Sequence, residues 1–200
     1  MNHLAHLYLS RYSERMMVGN FIADAVKGKK YSVFDSEIAR GILMHREIDT
    51  FTDSHFIVKH SKRLLYKRYG LYSSVIVDIF YDHFLAKNFS YYSPVSLANF
   101  SSQCYELLYS YFDQLPSRYQ RMLPHMKQEN WLIDYGNIEG TQRSLTGMSH
   151  RIKYNPGIQH ATTELRMYYK IFNEDFHLYF PLLEEHISGW YKKTKKTKDI

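Results

Sequence analysis

Cysteine, proline and glycine are all scarce in this 200-residue chain, which has one, five and nine of them respectively. A single cysteine, Cys104, excludes a disulfide framework and a cysteine-rich zinc site, and it points to a reducing compartment. So little glycine and proline excludes collagen-like and low-complexity classes. No apolar run approaches the ~18 residues that a membrane span needs, so no membrane partner is expected. The opening MNHLAHLYLSRYSER lacks a basic leader and a small-residue cleavage site, so it does not read as a signal peptide. P-loop, G-x-G-x-x-G and G-x-S-x-G patterns are missing, which removes the common nucleotide cradles and the serine-hydrolase elbow. The expectation is one cytoplasmic domain over residues 1–191, followed by a Lys-rich, disordered tail at 192–200.

Charge of one sign is also less abundant than the total suggests. The net charge is +6, but the closing KKTKKTKDI holds five lysines and one aspartate, which leaves +2 for the rest. The 19 tyrosines and 12 phenylalanines fall at helical spacing and read as core. With no RNP strand, Cys/His finger or helix-turn-helix signal, no nucleic-acid partner is expected.

What is there repeats with a period of 3.6, and period-2 alternation hardly occurs, so the fold is expected to be all-α, a single compact multi-helix domain. The spacing predicts helices over 35–52, 54–69 with Gly70 as its C-cap, 71–89, and from Pro94 to about 112. Shorter helices are expected between Pro116 and Pro124, at 131–135, and from an Asn137 cap. Tyr154-Asn155-Pro156-Gly157 reads as a turn. A closing helix over 161–191 is expected to bury Leu165, Tyr168, Phe172, Tyr179 and Leu182, and to kink or break at Pro181.

Polar residues embedded in these apolar stretches are the candidate chemistry. His45, Asp49 and Asp53 lie at i, i+4 and i+8, so a helix projects them toward one face. Asp78 and Asp82 are four apart with His83 adjacent. Each residue taken singly reads as a solvated or hydrogen-bonded side chain. Together, carboxylates and imidazoles among apolar neighbours suit a divalent cation, which offsets the cost of burying the carboxylates. Lys59, Arg63 and Lys67, with Lys62 beside them, form a basic helix face that is either solvated or a dock for an acidic partner.

Several ungapped blocks resemble acyl carrier protein phosphodiesterases: N-x-L-A-H at Asn2–His6, G-N-F-I-A-D at Gly19–Asp24, G-I-x-x-H-R-x-I-D-x-x-T-D at Gly41–Asp53, and D-x-x-Y-D-H-F-L at Asp78–Leu85. Later pieces agree, among them W-L-x-x-Y at Trp131–Tyr135 and L-x-G-M at Leu145–Met148. The resemblance implies an enzyme that removes the 4′-phosphopantetheine arm from holo-acyl carrier protein. It implies a divalent metal, Mn²⁺ before Mg²⁺ or Fe²⁺, and a distant likeness to the all-α HD phosphohydrolases. No adjacent His-Asp pair occurs, and Asp82-His83 stands in the reverse order. On the matched blocks, Asp24, His45, Asp82 and His83 are the expected metal ligands, and Asp49 a ligand or a base. His6 is the expected proton donor and Arg46 the expected phosphate-neutralising group. Asp53, Asp78 and Asn20 are further site candidates, and Lys59, Lys62, Arg63 and Lys67 the expected dock for an acidic carrier protein. Two alternatives stand beside this reading: a related metal phosphohydrolase acting on a small phosphodiester or nucleotide, and a non-catalytic helical binding module.

Overall fold

A computed structural model describes residues 1–154 and 156–196 of the chain. Twelve α-helices and a few single 3₁₀ turns make up its regular structure, with no strand among the described residues. Helix α1 (His3–Leu9) is followed by α2 (Glu14–Ile22), capped by the Ser13 side chain, which accepts from the Met16 N–H. A 3₁₀ turn at Ala23–Ala25 and a second at Lys30–Val33 lead into α3 (Ser36–Ser54), whose Asp35 cap accepts from the Glu37 N–H. Helix α4 (Phe56–Tyr69) ends at Gly70, which takes φ +54, a conformation that glycine adopts without strain.

Helix α5 (Ser73–Lys87) is the centre of the molecule. Its run of Ile76, Val77, Ile79, Phe80, Phe84 and Leu85 is buried, leaving almost no solvated face. Around it pack α1, α4, α10 (Ile138–Ser149) and α12 (Tyr169–Lys196). The outer helices are α6 (Phe89–Tyr92), α7 (Leu97–Ser110), α8 (Ser117–Gln128), α9 (Trp131–Asp134) and α11 (Thr162–Met167). None of the helices is long and apolar enough to cross a membrane among the described residues.

Helices α2 and α3 touch backbone to backbone through two glycines. A Cβ on Gly19 would lie 2.0 Å from the Ile38 carbonyl oxygen, and one on Gly41 would lie 2.2 Å from that of Met16. This contact sets the spacing between Asn20 on α2 and His45 on α3. Gly19 therefore serves helix packing.

The helices depart from sequence expectation at three prolines and at the C-terminal end. Pro94 lies ahead of α7, whose cap is Ser96. Pro124 and Pro181 sit inside α8 and α12 without ending them. Both prolines are solvent-exposed, while Leu123 and Met126, and Phe180 and Leu183, are buried on either side. That burial outweighs the lost backbone hydrogen bond. The closing segment is two helices, since α11 stops at Tyr168. Leu183 takes the core position expected of Leu182, which is 42% exposed. Helix α12 continues to Lys196, into the Lys-rich segment, whose residues 197–200 lie outside the described residues, as does Asn155 of the expected turn.

Candidate metal centre

Three elements bring two histidines and their acceptors together. His6 projects from α1 and His45 from α3, and their rings stack with centroids 3.9 Å apart. Asn20 on α2 fixes both. His45 Nδ1–H donates to the Asn20 backbone carbonyl at 3.0 Å and to Asn20 Oδ1 at 3.1 Å, and His6 Nδ1–H donates to Oδ1 at 2.9 Å. A carbonyl oxygen only accepts, so the Nδ1 protons are committed and both Nε2 atoms face the carboxylates. His6 Nε2 lies 3.2 Å from Asp49 Oδ1, and His45 Nε2 lies 3.2 Å from Asp49 Oδ2 and 3.4 Å from Asp24 Oδ1. The ligating atoms of His6, His45 and Asp49 all fall within 4.8 Å of one another.

These groups floor a cavity of about 280 Å³ walled by Asn2, His3, Phe21, Asp53, Asp78 and Met148. Four carboxylates line it (Asp24, Asp49, Asp53 and Asp78), and no lysine or arginine side chain does. Asp78 is tied to the Met1 ammonium at 2.9 Å, and Asp53 to Lys62 at 2.7 Å.

The electrostatics follow from this crowding. Burial lowers His45, but the hydrogen bonds it donates to Asp24 and Asp49 outweigh it and raise its pKa to about 9. Burial, with the His45 charge alongside, drops His6 to about 4. Asp49 is pushed up by burial, yet the hydrogen bond that His45 donates, with the Met1 ammonium nearby, holds it far below the usual carboxylate range. Asp24 is lowered by its bond to His45. The carboxylates thus hold a proton on His45, at a place where a metal ion would compete for the same electron pairs.

Several expected site residues lie elsewhere. Asp82 is fully buried and accepts from the Asn2, Leu4 and Ala5 N–H groups at 3.2, 2.7 and 3.3 Å, capping α1. Its oxygens are spent on the backbone, so it contributes to the centre by placing His6. His83 donates from Nδ1 to the Tyr135 carbonyl at 2.8 Å and accepts at Nε2 from the Tyr169 hydroxyl at 3.1 Å, on the other side of α5. Arg46 turns from the cavity to the Val26 carbonyl at 2.7 Å and the Tyr31 ring, and so ties down the loop that follows Asp24. Lys59 and Arg63 border a separate groove against Leu178 and Leu182 of α12. His3 was not singled out by sequence, yet it walls the cavity. Burial is the main cause of its low pKa of about 4. Its place three residues before His6, one helical turn away, was the available signal.

The family model described as acyl carrier protein phosphodiesterase matches residues 1–183 of the chain. Among curated relatives, the acyl carrier protein phosphodiesterase of Photorhabdus laumondii is 28% identical over 92% of this chain and 94% of its own length. That of Yersinia enterocolitica is 27% identical over 92% and 95%, and that of Escherichia coli O6:H1 is 28% identical over 94% and 98%. No solved structure matches the chain.

Proposed function

The chain belongs to the acyl carrier protein phosphodiesterase family, and from that premise we propose that it is a divalent-metal phosphodiesterase that cleaves the 4′-phosphopantetheine arm from holo-acyl carrier protein. The observation that carries the reading is the convergence of the His6 and His45 Nε2 atoms and an Asp49 oxygen within 4.8 Å at the floor of a cavity. Two imidazole Nε2 atoms and a carboxylate converging there are a donor set suited to Mn²⁺ or a similar ion.

His6, His45 and Asp49 would hold the ion, with Asp24 at the rim. A divalent cation bound there supplies electrophilic stabilisation of a phosphoryl group and acidifies water. The chain does the rest. Asn20 accepts both Nδ1 protons, which fixes the two tautomers and leaves the Nε2 lone pairs for ligation. The low pKa of His6 keeps that lone pair free at neutral pH, which favours a ligand over the proton donor expected from sequence. Asp49 stays ionised throughout. Asp24, with its side chain 57% exposed, is the carboxylate best able to take a proton from incoming water. Arg46 holds the Asp24 turn in place through the Val26 carbonyl.

The test is mass spectrometry of holo-acyl carrier protein incubated with this protein and Mn²⁺, with and without chelator. The expected result is a chelator-sensitive loss of one phosphopantetheine mass. No mass change at any metal concentration would overturn the substrate assignment, and a change that survives the chelator would overturn the metal.

A further inference from the structure

Two helices carry cations and no carboxylate of their own, α4 and α8. In α4, Lys62 is paired with Asp53 and Arg68 with Glu164. Its Lys59 and Arg63 border a groove that shares no lining residue with the metal-centre cavity. In α8, Arg118, Arg121 and His125 fall at i, i+3 and i+7, on an exposed face opposite the buried Tyr119, Met122, Leu123 and Met126. No ion pair engages Arg118, Arg121 or Arg151 among the described residues, and Arg151, just beyond α10, is exposed too. These cations line an open trough with Glu129 and Trp131. Arg151, Glu129 and Trp131 also line a second pocket, with Asp134 and Arg143, which shares the walls Asn2, His3 and Met148 with the metal-centre cavity. Arg151 lies near enough for its charge to act on His3. The cationic shelf and the carboxylate-lined centre therefore adjoin through shared walls.

We propose that the shelf formed by Arg118, Arg121, His125 and Arg151 is where the acidic surface of the carrier-protein substrate docks, with the phosphodiester entering beyond His3. The assignment rests on the function proposed above for its choice of partner. The shelf itself gives the partner's chemistry. Its cations are spread along an exposed helix face and the loop beside it, and do not converge on one buried point, so they suit an extended acidic surface rather than a small anion. A positive surface beside the cavity, with no ion pair of its own among the described residues, raises the association rate of an acidic partner and fixes its orientation.

Fluorescence anisotropy of labelled holo-carrier protein, titrated with the full chain at low and physiological salt, tests the assignment. The double variant Arg118→Glu/Arg121→Glu should weaken binding by about tenfold at low salt and flatten its salt dependence. The neutral pair Arg118→Gln/Arg121→Gln should lose about threefold, which keeps the test available if charge reversal perturbs folding. Lys59→Glu/Arg63→Glu should shift Kd by less than about twofold. A shelf variant that binds like wild type, or an α4 variant that loses as much, overturns the proposal. So does a single-stranded oligonucleotide that binds the shelf where the carrier does not. Mass spectrometry of the same mixtures reads arm removal separately. Carrier that binds through the shelf but keeps its arm would refute the hydrolase reading and leave the docking assignment standing.

Discussion

Two regions of this chain carry the same sequence signature and do opposite things. His45–Asp49 on α3 and Asp82–His83 on α5 each set an imidazole and a carboxylate among apolar residues. On α3 the side chains meet chiefly side chains: His45 and Asp49 touch His6 and Asp24 on the floor of a cavity, and Asp49 is 42% exposed. On α5 they meet backbone. Asp82, with no exposure, takes three N–H groups from the start of α1, and His83 takes the Tyr135 carbonyl. A carboxylate satisfied by buried amides is structural, whereas an imidazole held by carboxylates at a cavity wall could exchange its proton for a metal. The pairs also titrate in opposite senses, since His45 is raised to about 9 and His83 is lowered by burial.

The largest expected effect separates the two regions by activity. His45→Ala should cut hydrolysis of holo-carrier by at least about a thousandfold, because it removes a proposed ligand. Its thermal midpoint should fall as well, since the buried ring leaves Asn20 Oδ1 and Asp49 short of a partner, so turnover is compared per folded molecule. A variant that keeps a tenth of wild-type turnover would take His45 out of the centre.

Asp82→Ala should act first through stability. It leaves two buried N–H groups and the half-buried Asn2 N–H at the start of α1 without a partner, at a cost of about 3 kcal/mol. For a chain of this size that lowers the thermal midpoint by about 6–12 °C. A stability close to wild type in calorimetry would show that the carboxylate is not the cap.

The sequence made the helices legible and left their meeting places hidden. Period 3.6 identified α3 and the shared face of His45 and Asp49 because both facts are local. It overreached at Asp53, because eight residues turn a helix about 80° past the starting face. Asp53 accordingly reaches only the rim and pairs with Lys62. The blocks around Asp24 and His6 were visible, but nothing local says that α2 and α3 close to backbone contact at Gly19 and Gly41 and set Asn20 between two histidines. Asp82 and His83 misled for the same reason, since their partners lie 77–80 and 52 residues away. The Arg118–Arg121–Arg151 shelf escaped notice because its members belong to separate elements.

The pH dependence sharpens the contrast between the histidines. His83 has a folded pKa below its unfolded value, so its contribution is full above pH 6.5. Below that the unfolded state binds the proton first, and stability falls with falling pH. His45 has a folded pKa above its unfolded value, so in chelated protein its contribution is full below pH 6.5 and is lost as pH rises toward about 9. Thermal melts in chelator should show His83→Gln flattening only the acid limb and His45→Gln only the alkaline one. The same limb responding to both variants would remove the distinction.

The smallest expected effect lies at the cavity rim. Lys62 and Asp53 are 2.7 Å apart, but the Asp53 side chain is 68% exposed, so solvent screens the pair. Exposed pairs of this kind contribute about 0–1 kcal/mol, and Lys62→Ala should change the stability measured by urea unfolding by less than about 0.5 kcal/mol. A larger loss would mean that the pair clamps α4 against the end of α3. Asp53 would then be a fixed wall of the centre rather than a mobile carboxylate at its mouth.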